Sequence, residues 1–259
     1  MRVLDDRVFY LGLLGQRMKL RRIGAIAIYL STLGKLHLQR DGGQRISDEI
    51  VVVPPYQPHQ LTSDSPRIIS LLIEPERLAP GEMARVLEEC SDGTTSRRHL
   101  ARIRAVANRL VEADLGQPLT TAEFDRFLMG RVLKMHSLDR RVEKALDSLD
   151  LEGLEGRAIA ASIAESVGLS SSRFLHLFKE QTGIAFRNFR MWRRARIFLH
   201  YANHSCSLTD VAMSLGYPDS SHFSHSIRKT YGLQPRSIRY GSQDLRIDSD
   251  MRGATGICA

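Results

Sequence analysis

Cysteines are scarce in this sequence and follow no spacing pattern. The chain has 259 residues and three cysteines, Cys90, Cys206 and Cys258. An odd number of widely separated cysteines indicates neither a disulfide framework nor a zinc site, and it favours a reducing compartment. We therefore expect a cytoplasmic protein without a disulfide framework.

Long apolar segments are also missing. No hydrophobic run approaches the ~18 residues that are needed to span a bilayer. Asp5 and Asp6 lie where a signal peptide would be basic or apolar. We therefore predict no membrane association. Hydrophobic residues make up 42% of the chain and charged residues 25%, which is typical of globular proteins, and the length suits two or three domains.

Acidic side chains are under-represented in one part of the chain. Residues 153–243 contain 12 Lys and Arg against 5 Asp and Glu, whereas residues 1–152 contain 23 against 21. The net charge of +8 is therefore concentrated in one segment. Concentrated positive charge attracts nucleic-acid phosphates through counterion release. A solvated basic face would have the same composition, so charge alone leaves both interpretations open.

The period of the hydrophobic residues divides the chain into two parts. Up to residue 80, short or alternating apolar runs such as residues 26–30 and 51–53 predict strands. From residue 81 the period becomes helical, and turn formers at residues 92–96 and 116–118 predict breaks between helices.

One helical unit occurs twice within the basic segment. Residues 163–169 correspond to residues 211–217, and after the turn Phe174 corresponds to Phe223. Each copy is a short amphipathic helix, a Gly, a Ser-rich turn and a second amphipathic helix, which is the pattern of a helix-turn-helix. Any two helices joined by a Gly turn look similar, but two copies in register favour DNA binding much more strongly.

Each part of the unit has a physical role. Gly168 and Gly216 can adopt the left-handed conformation that ends the first helix. Side-chain oxygens at residues 170–172 and 219–221 can cap the second helix. Apolar residues four apart should pack the second helix onto the first; these are Phe174 with Phe178, and Phe223 with Ile227.

The outer face of each second helix is then left with mostly small or hydrogen-bonding side chains. Such side chains can approach base edges in a major groove, and flanking Lys179 and Arg228 can hold phosphates. The predicted DNA-contacting residues are Ser171, Ser172, Leu175, His176 and Lys179 in the first copy, and Ser220, Ser221, His222, Ser224, His225 and Arg228 in the second.

Further motifs extend this pattern: LFKEQTG at residues 177–183, SLTDVA at 207–212, LGYPDSSHFS at 215–224 and GLQPRS at 232–237. Together they resemble the DNA-binding domain of the AraC/XylS family of transcription regulators. The resemblance implies two helix-turn-helix subdomains joined by a long helix over residues 186–201, with both recognition helices in successive major-groove segments. It also matches the family's base-contacting positions to Ser171, Ser172, Leu175 and His176 in the first copy, and to Ser220, Ser221, His222, Ser224 and His225 in the second.

Two residues depart from the family pattern. Ile227 stands where an aromatic core residue is usual, and Leu175 offers no hydrogen bond. The first recognition helix is therefore expected to contact thymine methyl groups, or to read the sequence weakly.

The segment EIVVVPPYQPHQL at residues 49–61 resembles the strand-turn-strand of a cupin-like effector domain. The part before it is short for a complete barrel, so an incomplete barrel, or one completed by helices, stays open. His37, His59 and Glu74 are the candidate metal ligands, but they lack the close spacing of a ligand strand. His200 and His204 are four apart and are expected to be solvated. We predict no metal and no cofactor.

These observations predict an α+β protein with a β-rich cupin-like domain, a helical region and an all-α DNA-binding domain. The expected boundaries are 1–80 for the effector domain, 81–136 for the helical linker, 137–243 for the DNA-binding domain and 244–259 for a flexible tail. The linker is expected to form a homodimer interface, or alternatively to cap the barrel.

The expected function is transcription regulation without enzymatic activity. The expected partners are promoter or operator DNA, RNA polymerase, a second copy of the chain and a small-molecule effector. Two alternatives remain: an alkyltransferase-like DNA-repair protein, which would need a reactive cysteine, and a non-specific nucleoid-type DNA binder.

Overall fold

The computed structural model describes residues 1–4, 6–15, 18–112, 120–151, 159–243 and 247–249. Its N-terminal part is built from strands and the remainder mainly from helices, which confirms the α+β class. The strands are β1 (Arg2–Val3), β2 (Arg7–Leu13), β3 (Ile26–Ser31), β4 (Leu36–Arg40), β5 (Arg45–Asp48), β6 (Ile50–Val53), β7 (His59–Ser63), β8 (Arg67–Ile73) and β9 (Asp248–Ser249).

The strands form two sheets. The larger has the order β6-β3-β8-β2-β1-β9, and the smaller has the order β5-β4-β7. Strands β2 and β8 pair antiparallel over seven residues, from Arg7 opposite Ile73 to Leu13 opposite Arg67. Alternate residues of a strand point to opposite faces, and both faces of β3 are buried in apolar clusters. Its continuous apolar sequence follows from this burial on two sides.

The helices are α1 (Glu82–Ser91), α2 (Gly93–Glu112), α3 (Thr121–Met129), α4 (Arg140–Leu151), α5 (Ile159–Ser166), α6 (Ser171–Thr182), α7 (Phe186–His200), α8 (Leu208–Ser214), α9 (Ser220–Tyr231) and α10 (Pro235–Gly241). The break predicted at residues 92–96 is shorter than expected. Helix α2 begins at Gly93, because the carboxylate of Asp92 accepts a hydrogen bond from the Thr95 amide at 2.9 Å and caps the new helix. The break predicted at residues 116–118 lies outside the described residues.

Helices α1 to α3 cover one face of the larger sheet. Leu100, Ile103 and Ala107 of α2 pack in one cluster with Ile28 and other residues of β3. A buried ion pair between Arg7 Nε and Asp125 Oδ1, at 2.9 Å, joins β2 to α3. The main apolar faces of α1 to α3 therefore pack on the sheet. The sequence had left open two roles for this region, a dimer interface or a cap on the barrel, and this packing corresponds to the cap.

The other face of the sheet shares its core with the C-terminal helices. Trp192 and Phe198 of α7, together with Phe223 and Ile227 of α9, belong to the same buried cluster as Tyr29 of β3. The helices α4 to α6 have a separate cluster, to which α7 contributes Phe186 and Phe189. Helix α7 thus divides its apolar residues between two cores, one of which includes the sheet.

Glu74, directly after β8, joins the sheet to α7 by polar contacts. Trp192 Nε1 donates to Glu74 Oε1 at 2.6 Å, and Arg193 Nη1 donates to Glu74 Oε2 at 3.0 Å. Arg196 Nε lies 2.9 Å from Glu74 Oε1. All of these side chains are buried. The carboxylate therefore has its charge balanced by α7, as a buried ion requires.

Two features of the C-terminal part correct the sequence-based expectations. Cys206 is disulfide-bonded, although no disulfide was expected from the cysteine spacing. Asp248 and Ser249 form the short strand β9, which pairs parallel with β1, so these two residues of the expected flexible tail have a regular partner. Within the described ranges, no helix is both long and apolar enough to cross a bilayer.

The Glu74 contacts give a stability prediction. Glu74→Gln should lower the free energy of unfolding by roughly 3 kcal/mol, because it removes the negative charge that pairs with the buried guanidinium groups of Arg193 and Arg196. Urea denaturation measures this difference. Asp147→Asn is the matched control, since it removes the same charge from the exposed Arg77–Asp147 pair and should change little. Equal effects of the two substitutions would contradict the prediction.

Candidate nucleic-acid interface

The first helix-turn-helix consists of α5 and α6. Gly168 adopts φ +69°, and the next amide, that of Leu169, donates to the Ala164 carbonyl at 2.8 Å and so closes α5. The Ser170 hydroxyl caps α6 by accepting from the Arg173 amide at 3.3 Å. Phe174 and Phe178 are fully buried, and both contact Phe186 edge-on with ring centroids about 5 Å apart. The predicted turn, cap and packing pair are all present.

The second unit consists of α8 and α9. Gly216 adopts φ +70°, and the Asp219 carboxylate accepts from the amides of Ser221 and His222 at 2.8 Å each. Phe223 packs edge-on against Phe198 of α7, and Ile227 is fully buried. The aliphatic residue at position 227 therefore fills its core position in spite of the departure from the family pattern.

The structure places the predicted contact residues on the outer faces of α6 and α9. All of them are exposed except Ser224, which is half-buried. On α6 they are Ser171, Ser172, Leu175, His176 and Lys179; on α9 they are Ser220, Ser221, His222, Ser224, His225 and Arg228. Leu175 is 41% exposed, so the outer face of α6 includes one large apolar side chain. Their contacts with DNA stay a prediction.

His222 has a second role that the sequence did not indicate. Its Nδ1 lies 2.8 Å from Asp219 Oδ2, so the ring is hydrogen-bonded to the residue that caps its own helix. Hydrogen bonds from the His222 amide and ring hold the pKa of Asp219 below its usual value. His225, one turn further along, is exposed without such a tie and is the freer of the two imidazoles.

Arg173 is a candidate contact residue that the sequence reasoning missed. It is exposed on α6 and lines a shallow surface concavity with His176, Lys179 and Glu180. The spacing of three and four residues between Arg173, His176 and Glu180 places them on one face of the helix, and this signal was available in the sequence.

Three cations of these faces have no acidic partner among the described residues. In the part of the chain that the structure describes, the side chains of Arg173, Lys179 and Arg228 form no ion pair. Their charge is therefore available for phosphate oxygens.

The candidate metal ligands have separate partners. His37 contacts Asp64 and Ser47 at the surface, whereas His59 lies inside and Glu74 pairs with α7. No group of three or more His, Cys, Asp or Glu side chains suited to a metal ion is found among the described residues. The absence of a metal site remains a prediction.

A second candidate site is a cavity of about 380 Å³ between the larger sheet and the C-terminal helices. Its lining residues from the sheet side include Val8, Ile68 and Leu72, and those from the C-terminal part include Leu233, between α9 and α10, and Ile238 of α10. The lining is mostly apolar. Among the described residues it contains one charged side chain, Arg21. Such a cavity with few polar groups is typical of small-molecule sites.

Arg21 is the buried cation of this lining. Its Nε donates to His59 Nε2 at 3.1 Å, and its guanidinium carbon lies 4.6 Å from the centre of the Tyr29 ring. Among the described residues, its Nη2 has no hydrogen-bond partner, and no carboxylate pairs with it. Burial lowers the pKa of Arg21 from its ordinary value.

His59 supports Arg21 without neutralising it. The Gln57 carbonyl lies 2.9 Å from His59 Nδ1, so Nδ1 carries the proton and donates. His59 Nε2 then accepts from Arg21 and from the Tyr29 hydroxyl, which is 3.0 Å away. Burial and the nearby Arg21 charge lower the pKa of His59 to about 3, so the imidazole is neutral. The candidate metal ligand is in fact an acceptor that orients a cation.

Residues 163–240 match the family model of a helix-turn-helix domain. The HTH-type transcriptional activator RhaS of Escherichia fergusonii is 30% identical over 152 residues, covering 55% of this chain and 55% of that protein. The arabinose operon regulatory protein of Escherichia coli K12 is 29% identical over 108 residues, or 41% of this chain and 37% of that protein. Residues 163–240 are an AraC-type helix-turn-helix domain.

A solved structure is similar in fold to the N-terminal part as well as to the C-terminal part. The crystal structure of ToxT from Vibrio cholerae O395 matches with a TM-score of 0.56 at 12% identity, over 91% of this chain and 97% of ToxT. At this identity the likeness shows the fold alone, a β-rich N-terminal region followed by a helical C-terminal region. The chain spans about half the length of the first curated relative and less of the second.

Proposed function

We propose that the protein is a transcription regulator that binds promoter or operator DNA with α6 and α9. The observation that carries the proposal is the repeated unit, which presents two recognition helices with exposed polar faces and unpaired cations. In this proposal α9 reads bases through Ser221 and His225. Helix α6, with Leu175 facing outward, chiefly positions the protein, and its Arg173 and Lys179 hold phosphates.

The cysteines favour regulation over alkyl transfer. A repair alkyltransferase needs a reactive thiolate, but burial raises the pKa of the Cys90 thiol to about 12. Cys206 is disulfide-bonded and is not a free nucleophile. We propose that the protein is not an enzyme, and that it acts in the cytoplasm with RNA polymerase as a partner.

The DNA proposal is tested by comparing two kinds of substitution. His225→Ala and Ser221→Ala should change which base is preferred at single positions of the site, because they remove base contacts. Arg228→Ala should weaken binding on all sequences alike and reduce the salt dependence by about one unit, because it removes one phosphate contact. Binding to a library of random sites at several salt concentrations measures both effects.

Matched controls exist for both kinds of substitution. His204→Ala and Arg45→Ala remove exposed side chains of the same type outside α6 and α9, and neither should alter preference or salt dependence. Uniform weakening by His225→Ala, with no change in preference, would favour the non-specific nucleoid-type binder instead. Equal affinity of the unmodified protein for all sequences would reject sequence-specific regulation.

We propose that the cavity binds the effector, and that the effector is an apolar organic acid. An apolar lining selects an apolar body, and the buried Arg21, with Nη2 unpartnered, selects an anionic head. Two further ToxT structures are described as bound to an unsaturated fatty acid and to a naphthalenyl-butenoic acid, both of which are apolar acids.

The Arg21 role is tested with dodecanoate and its uncharged methyl ester. The unmodified protein should bind dodecanoate at least tenfold more tightly than the ester, and Arg21→Met should abolish that difference. The variant should be at least as stable as the unmodified protein without ligand, because it removes a buried charge that has no counterion. Fluorescence of Trp192, the single tryptophan, and thermal unfolding measure the two quantities.

Arg22→Met is the matched control. Arg22 is exposed and adjacent in sequence, so its substitution removes the same charge from outside the cavity and should leave the preference for the acid unchanged. Loss of the preference in both variants, or retention in both, would reject Arg21 as the anion site.

We propose the domain division 1–80, 81–136 and 137–243, followed by a tail over 244–259, and a homodimer formed through the helical linker. Although α1 to α3 cap the sheet, Met83, Phe127, Val132 and Met135 of this region remain 39–46% exposed. A second copy would bury these side chains and place two DNA-binding domains on one operator.

The dimer is tested by sedimentation. Phe127→Glu should convert the dimer to a monomer at micromolar concentration, because it puts a charge into an apolar interface. Leu33→Glu is the control, since Leu33 is 76% exposed between β3 and β4, away from α1 to α3. A monomeric unmodified protein, or a dimer that persists in Phe127→Glu, would contradict this interface.

A further inference from the structure

Residues 18–23, which connect β2 to β3, contact both candidate sites. The Arg21 side chain lines the cavity. The Arg21 backbone is fixed to β7 by two hydrogen bonds, from Arg21 N to His59 O at 2.9 Å and from His59 N to Arg21 O at 3.0 Å. The segment is therefore held on one side by the N-terminal sheets.

The same segment binds the C-terminal end of the second recognition helix. Lys19 N donates to the Gly232 carbonyl at 3.0 Å, and Arg22 N donates to the Lys229 carbonyl at 3.0 Å. The last carbonyls of a helix have no partner within the helix. Here residues 18–23, the cavity segment, supply two amide donors to the end of α9. These amides, of Lys19 and Arg22, lie on either side of Arg21, whose side chain lines the cavity.

Gly232 makes this approach sterically feasible. It ends α9 with φ +74°, and a Cβ at this position would collide with the Lys19 carbonyl oxygen. Gly183 ends α6 in the same way with φ +73°, but a Cβ there would meet nothing within 4 Å. The two recognition helices thus have the same C-terminal cap, and only the second is covered by the cavity segment.

The cavity contacts the second subdomain and not the first. Its described lining residues include Leu233 and, on α10, Ile238 and Tyr240, whereas none lies on α4, α5 or α6. A ligand in the cavity therefore touches the segment that follows α9 as well as the loop that holds the end of α9.

We propose that residues 18–23 couple occupancy of the cavity to the position of α9 and so to readout by the second helix-turn-helix. This rests on the proposed function, and it adds the route of regulation. An anion that draws the Arg21 guanidinium toward it shifts the flanking amides of Lys19 and Arg22, on which the end of α9 depends. A ligand changes DNA affinity only if it binds the two positions of α9 unequally.

Gly232→Ala and Gly183→Ala form a matched pair of variants. Both place a Cβ in the left-handed region at the end of a recognition helix and carry the same backbone strain. Only Gly232→Ala also pushes the Lys19 carbonyl away. The difference between the two variants therefore reports the contact between the segment and α9.

The measurement is the ratio of DNA affinities with and without saturating dodecanoate. We expect a ratio of about 5 to 100 for the unmodified protein and for Gly183→Ala, and a ratio below about two for Gly232→Ala. Dodecanoate affinity, read from Trp192 fluorescence, should remain similar in all three proteins. If both alanine variants keep the full ratio, the coupling role of residues 18–23 is wrong.

Amide hydrogen exchange tests the coupling in the unmodified protein, without any substitution. Dodecanoate should change the protection of the Lys19 and Arg22 amides at least tenfold, whereas unchanged protection would overturn the coupling. Binding of dodecanoate without any change in DNA affinity would overturn it as well. Failure of the unmodified protein to bind dodecanoate would instead reject the proposed effector, so the two failures are distinguishable.

Discussion

The packing of α7 and α9 against the inner face of the larger sheet determines the rest of the arrangement. Trp192, Phe198 and Phe223 share one buried cluster with Tyr29 of β3, so the second helix-turn-helix has no core separate from the sheet. The Glu74 carboxylate reinforces this packing by accepting from Trp192 and Arg193. Separating sheet and helices would expose this apolar surface to water and break the hydrogen bonds of Glu74 to α7, and the loss of apolar burial alone is costly.

This shared core makes the two DNA-binding units unequal although their local structures are alike. The first unit has its own cluster of Phe174, Phe178 and Phe186, and α7 connects this cluster to the core that includes the sheet. The second is held by the sheet, by the segment 18–23 and by the cavity wall. Any change at the cavity consequently acts on α9 before it acts on α6.

The sequence predicted what depends on local interactions. The turns at Gly168 and Gly216 and the cap at Asp219 follow from residue types at fixed spacing, and the structure contains all of them. The shared core and the environment of Arg21 join residues far apart in the chain, and no local period reports them. His59 is an example of a residue whose role depends on distant neighbours. From the sequence it was a candidate metal ligand, whereas in the structure it accepts hydrogen bonds from Arg21 and Tyr29.

The unpaired charge of Arg21 explains why a ligand can act through so small a segment. A buried ion without a counterion costs several kcal/mol, and His59, being neutral, relieves only part of that cost by hydrogen bonding. An apolar anion supplies the missing charge, so part of its binding energy comes from removing this instability. Because the Arg21 backbone lies between the two amides that hold α9, we infer that movement of Arg21 toward the anion shifts the end of the recognition helix.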